Sequence, residues 1–154
     1  MIIKIDELVS EEIISFLEEH IEDMKSVSPP ESKHALDLQG LKLPEITFWS
    51  CYDNNQLIGC VALKELDELI GEIKSMRVSR ASRGRGVGSK LLEYIFEISK
   101  TRGYNSLKLE TGSMDFFAPA RKLYQKHGFK ICEPFANYKK DPNSVFMEIN
   151  LSEL

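Results

Sequence analysis

Residues 76–95 read "MRVSRASRGRGVGSKLLEYI". An apolar, strand-like end passes through arginines and the glycines Gly84, Gly86 and Gly88 into a helical pattern, with apolar residues at 87, 91, 92, 95, 96 and 98. Successive backbone amides at a helix start face a common anion, and glycines let it approach without a Cβ in the way. Two familiar phosphate turns fail on counting. The dinucleotide fingerprint G-x-G-x-x-G, begun at Gly84, needs its third glycine where Ser89 stands, and no Gly-Lys-Ser/Thr exists for a P-loop. What remains, from Arg83 to Gly88, is an R-x-x-G-x-G turn between a strand and a helix. Its spacing alone serves an anion site and a solubilising surface turn equally well.

The flanking segments supply the architecture. "MIIKIDEL" reads as an opening strand. Ser10 stands at the N-cap of a helix over "SEEIISFLEEHIEDM", which has acids in its first turn and apolar residues at 13, 14, 17, 21 and 24. Pro29 and Pro30 stop that helix, and a short second one follows around "HALDLQGL". "ITFWSCY" and "LIGCVALKEL" flank an Asp-Asn-Asn turn and predict a hairpin, to which "IGEIKSMRV" adds a third adjacent strand. After the helix of the quoted stretch, ended by Gly103, "YNSLKLET" reads as a strand and "MDFFAPARKLYQKHG" as a helix closing at Gly128. "FKICEPF" and "SVFMEINL" are the final strands. The order β-α-α-β-β-β-α-β-α-β-β places antiparallel hairpins before one parallel strand–helix–strand unit. It predicts an α/β chain with a mixed sheet and helices on its faces. With no internal repeat or linker, residues 1–154 form a single domain.

At 154 residues, 42% hydrophobic and 29% charged, the chain can bury one core. A net charge of -4 argues against nucleic acid as a partner. No apolar run approaches a membrane span, and the first residues acquire acids too early for a signal peptide, so a cytoplasmic location is expected. Cys51, Cys60 and Cys132 form no CxxC pair and read as small buried hydrophobes in a reducing compartment. His20, His34 and His127 are scattered, and no metal site is expected.

The quoted stretch resembles the acyl-CoA signature of the GNAT superfamily of N-acetyltransferases, [QR]-x-x-G-x-[GA]. "ARKLYQKHGF" at 120–129 resembles the family's A-x-x-L-Y-x-x-x-G-F helix, "NSLKLET" stands where its fifth strand belongs, and the element order is the family's too. "GEIKSM", "LETGSM" and "DPNSVFM" further resemble a bacterial branch of small single-domain members. The resemblance implies a mixed, mostly antiparallel sheet of about seven strands with about four helices. It also implies acetyl-CoA as cosubstrate without a metal, a small-molecule amine as acceptor, no nucleic-acid or membrane partner, and compatibility with a homodimer. The pyrophosphate would then sit on Arg83, Gly84, Arg85, Gly86, Val87, Gly88 and Ser89. A bulky residue at Gly86 or Gly88 is expected to weaken coenzyme binding and leave the fold intact.

Acyl transfer from a thioester to an amine has three needs. The amine must lose its proton, the carbonyl oxygen must be held as charge develops, and the leaving thiolate should be protonated. In the family the strand matching "GEIKSMRV" splays from its neighbour, which assigns the backbone of Met76, Arg77 and Val78 to the pantetheine arm and acyl carbonyl. Ordinary sheet pairing of those amides is the plainer alternative. Tyr124 matches the general acid, and a phenol near ~10 can serve a thiol near ~8.5, although Tyr124 also falls on its helix's apolar stripe. Glu72, four residues before Met76, stands where some members place a carboxylate that takes the amine's proton through water. A solvated strand glutamate explains it equally, and Glu110 is the second candidate. Phe117 occupies the pantetheine-contacting position where members often carry Asn. Glu31, Ser32 and His34, within Pro29–Leu38, fall where the family closes over its acceptor, and His127 reads as a dipole-matched surface residue. Two other readings stay open: acetylation of a protein or peptide amine, and a non-catalytic acyl-CoA-binding module that would not need Tyr124.

Overall fold

Asn54 and Asn55 take positive φ, 50° and 64°, as a two-residue hairpin turn that matches strand twist requires. They join β2 (Ile46–Asp53) to β3 (Gln56–Glu65). The computed structural model, which describes residues 1–27 and 38–154, builds one seven-stranded sheet around this hairpin. The other strands are β1 (Ile2–Ile5), β4 (Ile70–Val78), β5 (Ser106–Gly112), β6 (Lys130–Ile131) and β7 (Ser144–Asn150), in the order β1-β2-β3-β4-β5-β7-β6. Every neighbouring pair is antiparallel except β4–β5. The helices are α1 (Glu11–Val27), α2 (Leu38–Leu41), α3 (Val87–Thr101) and α4 (Ala118–Lys126). The mixed, mostly antiparallel sheet with helices on both faces is therefore the observed fold.

Ser10 does cap α1, its Oγ accepting the Ile13 N–H at 3.2 Å. Pro29 and Pro30 lie outside the described residues. The last helix starts later than its apolar pattern suggests. Asp115–Phe117 forms a separate 3₁₀ turn, and α4 begins at Ala118 with Pro119 in its first positions, where a missing N–H costs nothing.

Strand alternation decides which layer each helix covers. Val61 and Leu63 of β3, with Leu107, Leu109 and Met147, pack against Leu91, Leu92 and Ile95 of α3 and Tyr124 of α4. Cys60 and Ala62, on the opposite face, pack with Phe48 against Ile13 and Leu17 of α1 and Leu41 of α2. Each fully buried Leu or Ile of this kind stabilises the fold by about 1.5–3 kcal/mol. Cys51 and Cys60 are completely buried, as expected of thiols used as core. Among the described residues no helix is long and apolar enough to cross a membrane.

Candidate active site

The strand carrying Met76 is bulged. Cys60 of β3 faces Arg77 and Ala62 faces Lys74, so Val61 lies opposite both Ser75 and Met76. Ser75 has φ +51°, and the Cys60 thiol donates to its carbonyl at 3.2 Å. A bulge increases local twist and bends its strand. β4 accordingly leaves its other neighbour: the parallel pairing with β5 runs from Ile70↔Ser106 to Ile73↔Leu109 and stops. From Lys74 to Val78, the backbone groups directed toward β5 are outside the ladder and can meet a ligand.

This gap belongs to a cavity of about 590 Å³ whose wall includes Met76, Arg77, Val78, Tyr124, Glu72 and Glu110. The glycine turn forms another part of the wall, through Arg83, Gly84, Gly86, Val87, Gly88 and Ser89. Arg85 is exposed and stands off that wall. Gly84 (φ +77°) and Gly86 (φ +82°, the N-cap of α3) sit in the left-handed region, and a Cβ on either would meet nothing within 4 Å. Their conformation demands glycine, and the space in front of them stays open. The first bond of α3 runs from the Lys90 N–H to the Gly86 carbonyl at 3.1 Å, so the amides of Val87, Gly88 and Ser89 precede it at the positive end of the helix. Gly88 is different. A Cβ there would lie 2.8 Å from Leu123 Cδ2, so Gly88 is what lets α3 and α4 approach. A bulky residue at Gly88 would therefore have to displace the Leu123 side chain as well.

Tyr124 answers to both of its sequence readings. It is 7% exposed, with its ring 5.7 Å from Phe129 in the core, and it also lines the cavity. Burial, and then the Glu110 charge, pushes its phenol up to about 12. Burial likewise pushes the Glu110 carboxyl up to about 7, against the opposing effect of the Lys74 charge. Glu72 is not a solvated carboxylate. It is 2% exposed, and its Oε2 accepts from Lys74 Nζ at 3.0 Å and from the Tyr138 hydroxyl at 2.7 Å. Lys74 Nζ also donates to the Tyr138 oxygen at 2.7 Å, closing a ring of three groups. Tyr138 was invisible to sequence reasoning because it lies in the irregular segment between β6 and β7, where no spacing marks it. Its phenol is pushed up by burial and by the Glu72 charge.

Phe117 lines the cavity with its ring packed on Gly112 and edge-on to Phe116 at 5.0 Å. Arg121 Nη1 fixes this corner by donating to the carbonyls of Gly112 (2.6 Å) and Met114 (3.0 Å). Arg77, singled out for its backbone, also has a buried side chain with a separate task. It donates to Asp23 Oδ2 and Glu19 Oε1 of α1, both at 3.0 Å. The Arg77 hydrogen bond holds the Asp23 carboxyl below its usual range. His20, on the cavity wall, is lowered to about 4 by burial and by Arg77, so its ring is neutral at physiological pH. His127 is half-buried rather than a plain surface residue, and its Nε2 lies 2.9 Å from Ser89 Oγ. Glu31, Ser32 and His34 lie outside the described residues.

A parted parallel pair within an otherwise antiparallel sheet, with a glycine-rich strand-to-helix turn beside the gap, belongs to a class of small acyltransferases. The sequence matches the Acetyltransferase (GNAT) family over residues 13–129, and the chain is a member of that family and an acetyltransferase. It is 55% identical over 147 residues to the uncharacterized N-acetyltransferase YsnE of Bacillus subtilis strain 168, covering 96% of this chain and 97% of that protein. It is 45% identical over 151 residues to the uncharacterized N-acetyltransferase YedL of Escherichia coli strain K12, covering 98% and 95%. Its fold is shared by an aminoglycoside 6'-N-acetyltransferase crystallised with coenzyme A, at a TM-score of 0.66 and 17% identity over 98% of this chain and 97% of that one.

Proposed function

We propose that the protein moves an acetyl group directly from acetyl-CoA to the primary amine of a small molecule. The observation that carries this reading is the parting of β4 from β5, which puts the glycine turn, unpaired backbone, Tyr124 and Glu110 on one cavity. The turn from Arg83 to Ser89 suits a pyrophosphate, because open space faces Gly84 and Gly86 and helix-start amides converge on it. Met76, Arg77, Val78 and Phe117 would hold the pantetheine arm. Acetyl-CoA supplies the acetyl group already activated as a thioester.

Two needs of the transfer have groups to meet them, and the departing thiolate is met by a hydrogen bond in place of a full proton transfer. Unpaired backbone donors near Met76 hold the oxygen on which charge develops, and they require no reorganisation. Glu110, titrating near 7, takes the amine's proton; a base works best with its pKa near the working pH. Glu72, the first candidate from sequence, is held by Lys74 and Tyr138 and is not free to take up the amine's proton. Tyr124 donates a hydrogen bond to the departing sulfur. Its phenol at about 12 keeps its proton, since complete transfer to a thiolate of ~8.5 costs several kcal/mol.

The test is a screen of the purified protein with acetyl-CoA against amines, amino acids and peptides, reading thiol release and product mass. Transfer to at least one small amine is the expected result. Transfer to peptides alone would replace the acceptor class, and coenzyme binding without any transfer would leave a binding module.

A further inference from the structure

His127 closes α4, yet its ring reaches across to α3. Its Nε2 lies 2.9 Å from Ser89 Oγ, and its ring centre is 6.2 Å from that of Phe96, further along α3. The backbone N–H of His127 bonds the carbonyls of Leu123 (3.2 Å) and Tyr124 (3.1 Å), which anchors the base of the side chain in the helix frame. Ser89 lines the cavity in the first turn of α3, and Lys126, adjacent to His127, lines it too.

A serine hydroxyl carries one hydrogen and rotates to suit its partners. If Nε2 accepts that hydrogen, the hydroxyl is turned away from the cavity. If Nε2 carries a hydrogen and donates to Oγ, the serine hydrogen is left for another acceptor. An anion before α3 selects the second arrangement, because donation then runs one way, from imidazole through hydroxyl to anion. We propose that His127 is a positioning residue for the coenzyme, holding the Ser89 hydroxyl aimed at the pyrophosphate. The proposal rests on the reading that the turn from Arg83 to Ser89 binds that group. His127 itself touches neither the pyrophosphate nor the reacting atoms.

The experiment compares coenzyme A with pantetheine, which lacks the pyrophosphate. Binding is read by calorimetry or displacement, and kcat and KM are read with the corresponding acetyl thioesters. His127→Leu should weaken coenzyme A about tenfold and raise the acetyl-CoA KM, while leaving pantetheine and the acetyl-pantetheine kcat/KM unchanged. His127→Gln, whose side-chain amide N–H falls near Nε2, should recover most of the loss. Ser89→Ala should lose as much as His127→Leu, and the double variant no more than either. Equal weakening toward both ligands, or full additivity of the two losses, overturns the proposal. Should His127→Leu not fold, Ser89→Ala with wild-type coenzyme affinity overturns it as well. A wild-type protein that binds coenzyme A no better than pantetheine would instead sink the pyrophosphate reading, and His127's role with it.

Discussion

Glu110 is the carboxylate whose charge changes in the working range. Its pKa near 7 predicts turnover that falls as pH drops through that value, and Glu110→Gln should remove this limb together with ~10²–10⁴-fold of turnover. Stability moves the other way. The folded pKa exceeds the ordinary 4.5, so the preference for the protonated form is fully present below 4.5 and is lost as pH rises through about 7. Glu110→Gln should therefore melt higher than wild type at pH 8 and by a much smaller margin at pH 5; equal margins would refute the raised pKa. Tyr124→Phe should cut turnover about ten- to hundredfold with acetyl-CoA affinity nearly unchanged, the size of one hydrogen bond to a charged sulfur. Of these residues, Tyr124 was legible because a helical motif marks its place. Glu72 was legible by position and misread in environment, because alternation gives its face of β4 and says nothing of what covers it. Tyr138, from a segment with no period, does the covering.

Elements meet at two contacts that decide how the site is held. Arg77 ties β4 to α1 through Glu19 and Asp23, on the sheet face opposite α3. Replacing it with Met leaves the Asp23 carboxylate without its main partner, a loss the more exposed Arg80, 2.7 Å away, only partly offsets. The expected outcome is faster amide exchange confined to α1; uniform exchange across the sheet would contradict the latch. Gly88 sets the approach of α3 to α4. Gly88→Val should lower Tm and coenzyme affinity together, whereas Gly86→Ala should cost roughly 1–2 kcal/mol of backbone strain at an open position. Calorimetry and melting curves on both variants separate the two roles. Element order could be read from hydrophobic period and turn residues, and with it the β2–β3–β4 run and the parallel β4–β5 pair; the seat of β7 between β5 and β6 could not. The bulge at Ser75 could not, because a serine in an apolar strand carries no signal for a left-handed backbone. The parting of β4 from β5 was anticipated only through the family resemblance.

At the scale of the whole molecule, the gap between β4 and β5 lets one cavity reach both layers. The glycine turn belongs to the α3–α4 side, and the Glu72–Lys74–Tyr138 ring lies on the strand face shared with Arg77, toward α1. On the proposed function, donor and acceptor would be bound together and react across the sheet, without an acetyl group resting on the protein. The alternative needs a nucleophile at the gap. Cys60 is the thiol placed at the bulge, and it fails on two counts. It is wholly buried, and burial pushes it up to about 12, leaving about one thiolate in 10⁵ at pH 7. Its hydrogen is directed to the Ser75 carbonyl, so it works to shape the strand. Initial-velocity lines with acetyl-CoA and the true acceptor should thus intersect, and mass spectrometry after incubation with acetyl-CoA alone should show an unmodified chain. Parallel lines, together with an acetyl adduct that forms as fast as turnover, would refute direct transfer. Cys60→Ala should keep kcat within a fewfold of wild type while lowering Tm, as expected for a residue that only fills core and supports the bulge.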